Sequence, residues 1–141
     1  MKAIAINGSP RPGGNTEIML KKVLEPLEAA GWNTEYRQIG GKPVRGCKAC
    51  FKCFEKRNGR CVVEKDHMND YLEQINAADA VILGSPTYVT DVTPELKALI
   101  DRVGDEEAMR NMRHLGQVIA WLGKAVASVP DAYPIPPYDV G

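Results

Sequence analysis

Apolar positions along the chain fall into two periodicities. Residues 3–7, Ala-Ile-Ala-Ile-Asn, are apolar nearly throughout, as a strand covered on both faces of a parallel sheet should be. Ala80-Val81-Ile82-Leu83-Gly84 repeats that pattern, and residues 33–39 alternate well enough to form a strand between them. Helical spacing appears at Ile18, Leu20, Val23, Leu24 and Leu27, with Asn15 or Thr16 as cap and Gly31 just past the end. Pro26 falls inside that run and is expected to kink or shorten the helix by removing a backbone donor. A second helix runs from an Asp66 cap to about Ala77, with Met68, Leu72 and Ile75 on one face. A third opens with Thr93 as cap and Pro94 at its first position, with Leu96, Leu99, Ile100 and Val103 as its buried stripe. From Asp105 a longer helix is expected: Met109, Met112, Leu115, Ile119, Leu122 and Val126 recur at spacings of three or four. Residues 40–65 have no period and read as a long loop or insertion, and the proline-rich tail 130–141 as irregular. Strand, helix, strand in succession predicts right-handed crossovers and an α/β doubly wound parallel sheet with three strands evident.

Composition narrows the function classes. The chain has 141 residues, 44% of them hydrophobic, enough for one packed domain, placed at 1–129. Its 18 basic and 18 acidic residues cancel, which gives no support to nucleic acid or an anionic membrane as partner. No apolar run has the length of a membrane span or of a signal-peptide core, so a cytoplasmic protein is expected. His67 and His114 stand alone and are expected to face solvent. No hydrolase triad and no paired carboxylates are visible.

Chemistry is concentrated in two loops and one cysteine cluster. Gly8-Ser9-Pro10-Arg11-Pro12-Gly13-Gly14-Asn15-Thr16 is a turn cluster between a buried strand and a helix start, where free N–H groups meet the positive end of a helix dipole. Ser9, Asn15 and Thr16 can add donors, and Arg11 a charge. The segment is neither a P-loop nor a G-x-G-x-x-G loop, and without a lysine it suits a phosphate monoester better than a triphosphate. The alternative is an ordinary strand–helix turn.

Gly8-Ser9-Pro10-Arg11 followed by Gly14-Asn15-Thr16 resembles the FMN-phosphate loop of the NAD(P)H-dependent FMN reductase family, which has the flavodoxin-like fold. Residues 78–88, then Leu96-Lys97 and Asp101-Arg102, resemble that family's third-strand block. The resemblance implies an FMN site, with Ser9, Arg11, Asn15 and Thr16 at the phosphate and Pro86, Thr87 and Tyr88 against the isoalloxazine ring. It also implies a flavin-dependent oxidoreductase whose chemistry lies on FMN, with no catalytic side chain required.

All four cysteines, Cys47, Cys50, Cys53 and Cys61, lie within 15 residues as C-x2-C-x2-C-x7-C. Thiols so grouped suit zinc, an iron–sulfur cluster or a redox-active thiol set. Three in a compact run are spaced like a cluster-binding loop rather than like paired zinc knuckles. The spacing resembles that of the iron–sulfur flavoproteins, a branch of the same family, which implies that the four bind a four-iron four-sulfur (4Fe-4S) cluster. Lys48, Lys52, Lys56, Arg57 and Arg60 are interleaved with them and can offset thiolate charge or attract an acidic partner such as ferredoxin.

Two enzymatic readings follow. With a cluster, electrons from ferredoxin or another small carrier reach FMN and then a small acceptor. Without one, NAD(P)H reduces FMN, which reduces a quinone, metal ion or free flavin. The competing class is a non-enzymatic metal-binding or redox-sensing module. The resemblance implies a homodimer or homotetramer. It also implies a fourth strand, a glycine-rich loop and a fifth strand after Val103. Gly104-Asp105-Glu106 instead begins what resembles the family's C-terminal helix, so that segment is expected to be missing, by deletion or by joining of its flanks.

Overall fold

A computed structural model of the chain describes residues 1–103, which lie within one compact unit. Three strands, β1 (Lys2–Asn7), β2 (Asn33–Gln38) and β3 (Ala80–Gly84), form one sheet in the order β2-β1-β3. Both pairings are parallel, with Ile4 opposite Glu35 on one side and Val81 on the other. Four helices accompany them: α1 (Asn15–Ala29), α2 (Lys52–Lys56), α3 (Met68–Asn76) and α4 (Pro94–Arg102). The order 2-1-3 is that of the flavodoxin-like doubly wound sheet, in agreement with the expected fold class.

Strand alternation decides where the core lies. Ile4 and Ile6 face one side and pack with Met68, Leu72 and Ile75 of α3 and Leu96 and Leu99 of α4. Ala3 and Ala5 face the other, and their small side chains accommodate Leu20 and Leu24 of α1. Each fully buried Ile or Leu contributes about 1.5–3 kcal/mol relative to an exposed one. The apolar character of β1 follows from being covered on both faces.

Several boundaries differ from expectation. Gly14, with extended backbone, caps α1 in place of Asn15 or Thr16, and the Glu17 carboxylate accepts the Gly13 N–H at 2.8 Å. Pro26 does not end α1, which runs on to Ala29; it sits near the last turn, and its carbonyl still accepts the Ala30 N–H at 3.1 Å. Of the predicted α1 stripe, Leu20 and Leu24 are buried, whereas Ile18 and Val23 are exposed. His67, itself exposed, takes the cap position of α3, while Asp66 Oδ1 still accepts the N–H of Met68, the helix's first residue, and Oδ2 pairs with Arg102. In α4 the buried positions are Leu96, Ala98, Leu99 and Arg102, while Ile100 is exposed and Val103 half-buried. Arg102 occupies the inward position because buried acceptors await it there. Within 40–65 the short α2 forms. The helix from Asp105, His114, the tail 130–141 and the domain's end at 129 lie outside the described residues. No described helix is long and apolar enough to cross a membrane.

Candidate functional site

The parallel register brings the carboxyl ends of all three strands to one edge, the edge at which open α/β sheets bind ligands. There Asn7 ends β1 opposite Gln38 and Gly84. The Gly8 N–H donates to the Gly84 carbonyl at 2.7 Å, so the loops leaving β1 and β3 begin side by side.

Asn7 is fully buried, and its side chain organises the loop that follows. Its Oδ1 accepts the Ser9 N–H at 2.8 Å, while its Nδ2 donates to the Tyr36 hydroxyl at 2.9 Å and to Gln38 Oε1 at 3.1 Å. Gln38 Nε2 returns a hydrogen bond to the Ser9 carbonyl. Ser9 Oγ accepts the Arg11 N–H at 3.2 Å, and the Arg11 carbonyl accepts that of Gly14 at 3.4 Å. Burial raises the Tyr36 phenol pKa above its ordinary value, so the hydroxyl stays protonated as this network requires. Gly40 closes the loop from the β2 side: a Cβ there would lie 2.3 Å from the Gly8 and Ser9 carbonyl oxygens.

These contacts hold the backbone so that the first turn of α1 opens at the loop's mouth. The N–H groups of Asn15, Thr16 and Glu17 have no intrahelical acceptor by construction. Arg11 and Asn15 are exposed, whereas Ser9 and Thr16 are buried. No described side chain pairs with the Arg11 guanidinium. The structure therefore gathers the four predicted phosphate residues around one helix start. Glu17 lies close by, held by Lys21 at 2.7 Å. These donors fit an anionic phosphate.

On the β3 side, Ser85 Oγ accepts the Thr93 N–H at 3.0 Å and thereby ties this segment to the start of α4. Pro86 is half-buried, Thr87 is exposed, and Tyr88 is 43% exposed, leaving part of its ring available as a flat surface. Tyr88 and Asp91 exchange backbone hydrogen bonds of 2.8 and 3.0 Å across a two-residue turn. Val89 and Thr90 both have positive φ, 46° and 70°, the pattern of a type I′ turn.

The cysteine loop leaves the same edge after β2. Cys47 and Cys50 are exposed, Cys53 and Cys61 half-buried, and all four are free thiols. Among the described residues no three thiol, imidazole or carboxylate side chains are gathered at metal-binding distance. In kind and number, four thiols fit an iron–sulfur or zinc site. Cys47 Sγ accepts the Ala49 N–H at 3.3 Å, and Cys61 Sγ that of Val63 at 3.5 Å, contacts of the sort that tune cluster sulfurs. Arg102 Nε is buried without an acceptor, and its residue lines, together with Cys53, a cavity of about 10 Å³.

Residues 1–130 match the profile of the NADPH-dependent FMN reductase family. The chain belongs to this family. Among curated proteins it is similar to an iron–sulfur flavoprotein of Methanocaldococcus jannaschii, with 38% identity over 102 residues, 72% of this chain and 51% of that protein. It is 36% identical over 126 residues to an iron–sulfur flavoprotein of Archaeoglobus fulgidus, covering 87% of this chain and 56% of that protein. A third, from Methanosarcina thermophila, is 37% identical over 102 residues, 72% and 52% of the two chains. The chain thus spans about half the length of the curated relatives it matches.

In this FMN reductase family member, sequence reasoning missed the residues beneath the loops. Asn7, Gln38 and Tyr36 support the phosphate loop, and Asp66, Asn69 and Arg102 support the cysteine loop. One signal was available: a lone Asn ending an otherwise apolar strand, directly before Gly-Ser, is a buried amide that needs partners.

Proposed function

We propose that this family member is an FMN-binding, flavin-dependent electron-transfer oxidoreductase of the iron–sulfur flavoprotein type. The observation that carries the reading is the placement of the phosphate loop and the Ser85–Tyr88 segment side by side, joined through Gly8 and Gly84. The first turn of α1 with Ser9, Arg11, Asn15 and Thr16 would hold the phosphate, and Pro86, Thr87 and Tyr88 would face the ring. Cys47, Cys50, Cys53 and Cys61 would hold a four-iron four-sulfur cluster. FMN when bound supplies hydride or single-electron chemistry, and a thiolate-held cluster supplies single-electron exchange. The protein's part is to bind, orient and keep the ring's face accessible; no side chain acts as acid or base.

The donor in this reading is a small one-electron carrier such as ferredoxin, met by the basic residues of the cysteine loop, and the acceptor is a small molecule. The relatives' names support the cluster, and the family's name supports NADPH as donor to a cluster-free form. The assembly is a homodimer or homotetramer working in the cytoplasm.

Anaerobic purification tests the reading. The expected product carries a flavin spectrum released on denaturation, iron and sulfide in equal amounts, and a broad visible shoulder bleached by dithionite. Flavin without iron, reduced directly by NADPH, would move the chain to the cluster-free reductases. A colourless protein holding stoichiometric zinc would overturn the oxidoreductase reading. Arg11→Ala combined with Asn15→Ala is expected to strip FMN and leave the circular dichroism spectrum unchanged; retained flavin would place the phosphate elsewhere.

A further inference from the structure

The cysteine loop is closed at its base by a single guanidinium. Arg102, the last residue of α4, has a fully buried side chain; its Nη1 donates to the Arg45 carbonyl at 3.0 Å and to Asp66 Oδ2 at 2.6 Å. Its Nη2 donates to the Val63 carbonyl at 2.8 Å. Asp66, whose side chain is 2% exposed, also accepts the Arg45 N–H at 2.9 Å and the Met68 N–H at 3.3 Å. One residue thus grips the chain just before Cys47 and just after Cys61. A lysine also has three donors, but all on one rotatable nitrogen, whereas here two nitrogens fixed in one plane, Nη1 and Nη2, reach the acceptors on either side.

Cys61 is held a second time. Buried Asn69 of α3 accepts the Cys61 N–H at 2.8 Å and donates Nδ2 to the Cys61 carbonyl at 2.9 Å, a two-bond grip on one residue's backbone. Cys47 and Cys50 have no such anchoring: they are exposed, and the stretch around them passes through Ala49 and Phe51 in left-handed conformation. α4 has a further role. Its cap, Thr93, is bonded to Ser85 beside Tyr88, so one nine-residue helix joins the ring-facing segment to the base of the cysteine loop.

We infer that Arg102, Asp66 and Asn69 are positioning residues of the cysteine site, and that Cys61 is its fixed ligand, around which Cys47, Cys50 and Cys53 are drawn in. This rests on the reading of the four cysteines as a metal or cluster site. Supporting residues around ligands typically affect metal affinity by about 10–100-fold when changed.

The test uses the full chain with FMN bound. Affinity for Co²⁺ is read from the thiolate-to-cobalt charge-transfer band, and iron and sulfide per FMN are counted after anaerobic reconstitution. Asn69→Ala and Arg102→Lys, which keeps the charge opposite Asp66 but loses the fork, are each expected to weaken Co²⁺ binding by about 10–100-fold. FMN per chain should stay at the wild-type value. The double variant Arg102→Met with Asp66→Asn, which leaves no unpaired buried charge, covers the case in which a single variant fails to fold. Cys61→Ser should cost more cobalt affinity than Cys47→Ser. Wild-type loading with unchanged loading in the folded variants would overturn this inference and leave the cluster reading standing. A wild-type protein that keeps FMN but binds neither cobalt nor a cluster would overturn both.

Discussion

Among the glycines around the candidate FMN site, Gly40 has the least room for a side chain. A methyl group there would meet two backbone oxygens of the phosphate loop at 2.3 Å, and backbone cannot rotate aside as a side chain can. Gly40→Ala should therefore displace Gly8 and Ser9, cost about 1–3 kcal/mol of stability and weaken FMN binding. Thermal melts and quenching of flavin fluorescence would report the two effects separately. Asn7→Ala should act on the same loop by leaving the Ser9 N–H without its acceptor, while Gln38 keeps the Tyr36 hydroxyl, at a cost of about 1–3 kcal/mol. The directly ligating candidates Ser9, Arg11, Asn15 and Thr16 were legible in the sequence, because Gly, Ser and Asn before a helix announce a donor-rich start. Gly40 was not, and for Asn7 the sequence signals a buried amide without saying which groups it meets. Their importance comes from what lies across the sheet, some 30 positions away in the chain, and no local pattern records that.

Among the elements, the turn after β3 conflicts with its own sequence. A type I′ turn favours Asn-Gly, yet Val89 and Thr90, both β-branched, occupy its left-handed positions, and Val89 is 97% exposed. Left-handed backbone costs roughly 1–2 kcal/mol per such residue. Val89→Asn with Thr90→Gly should therefore raise the urea midpoint of unfolding, provided the Tyr88–Asp91 bridge is kept. An unchanged or lowered midpoint would show that the turn carries no strain. The strand cores and the α4 cap at Thr93-Pro94 were readable, since parallel-strand runs and a Pro at the first helical position are local signals. The inward phase of α4 was not. The stripe Leu96, Leu99, Ile100, Val103 is a reasonable helical face, but Arg102 replaces Ile100 in the interior because the cysteine loop supplies its acceptors.

For the molecule as a whole, the Asp66–Arg102 pair makes stability depend on pH. Burial works to raise the Asp66 pKa, but the Arg102 guanidinium and the Arg45 and Met68 N–H groups outweigh it, and the net direction is downward. A carboxyl whose folded pKa is lowered binds fewer protons folded than unfolded. Its contribution is complete above the ordinary carboxyl value of about 4 and is lost as pH falls through the lowered folded value. Thermal stability should accordingly decline below about pH 4–5 in the wild-type protein. Asp66→Asn should flatten that decline and, by leaving Arg102 buried without its partner, cost about 3–5 kcal/mol at neutral pH. Melting curves of the two proteins across that range would decide it.

The sequence by itself determined the fold class, the three strands, the phosphate-loop and cysteine motifs and the family they resemble. The strands and fold class follow from local periodicity, and the family from the resemblance of whole motifs, both of which a chain carries whatever its partners. The tertiary structure alone decided which residues support those motifs. The parallel register sets Gly8 against Gly84 and Gly40 against Ser9, and α4 delivers one guanidinium to both ends of a loop begun nearly 60 positions earlier. Such contacts depend on the close packing of segments distant in the chain. Their physical basis is the need of each buried polar group for a partner, and that partner is identified only when the chain is folded.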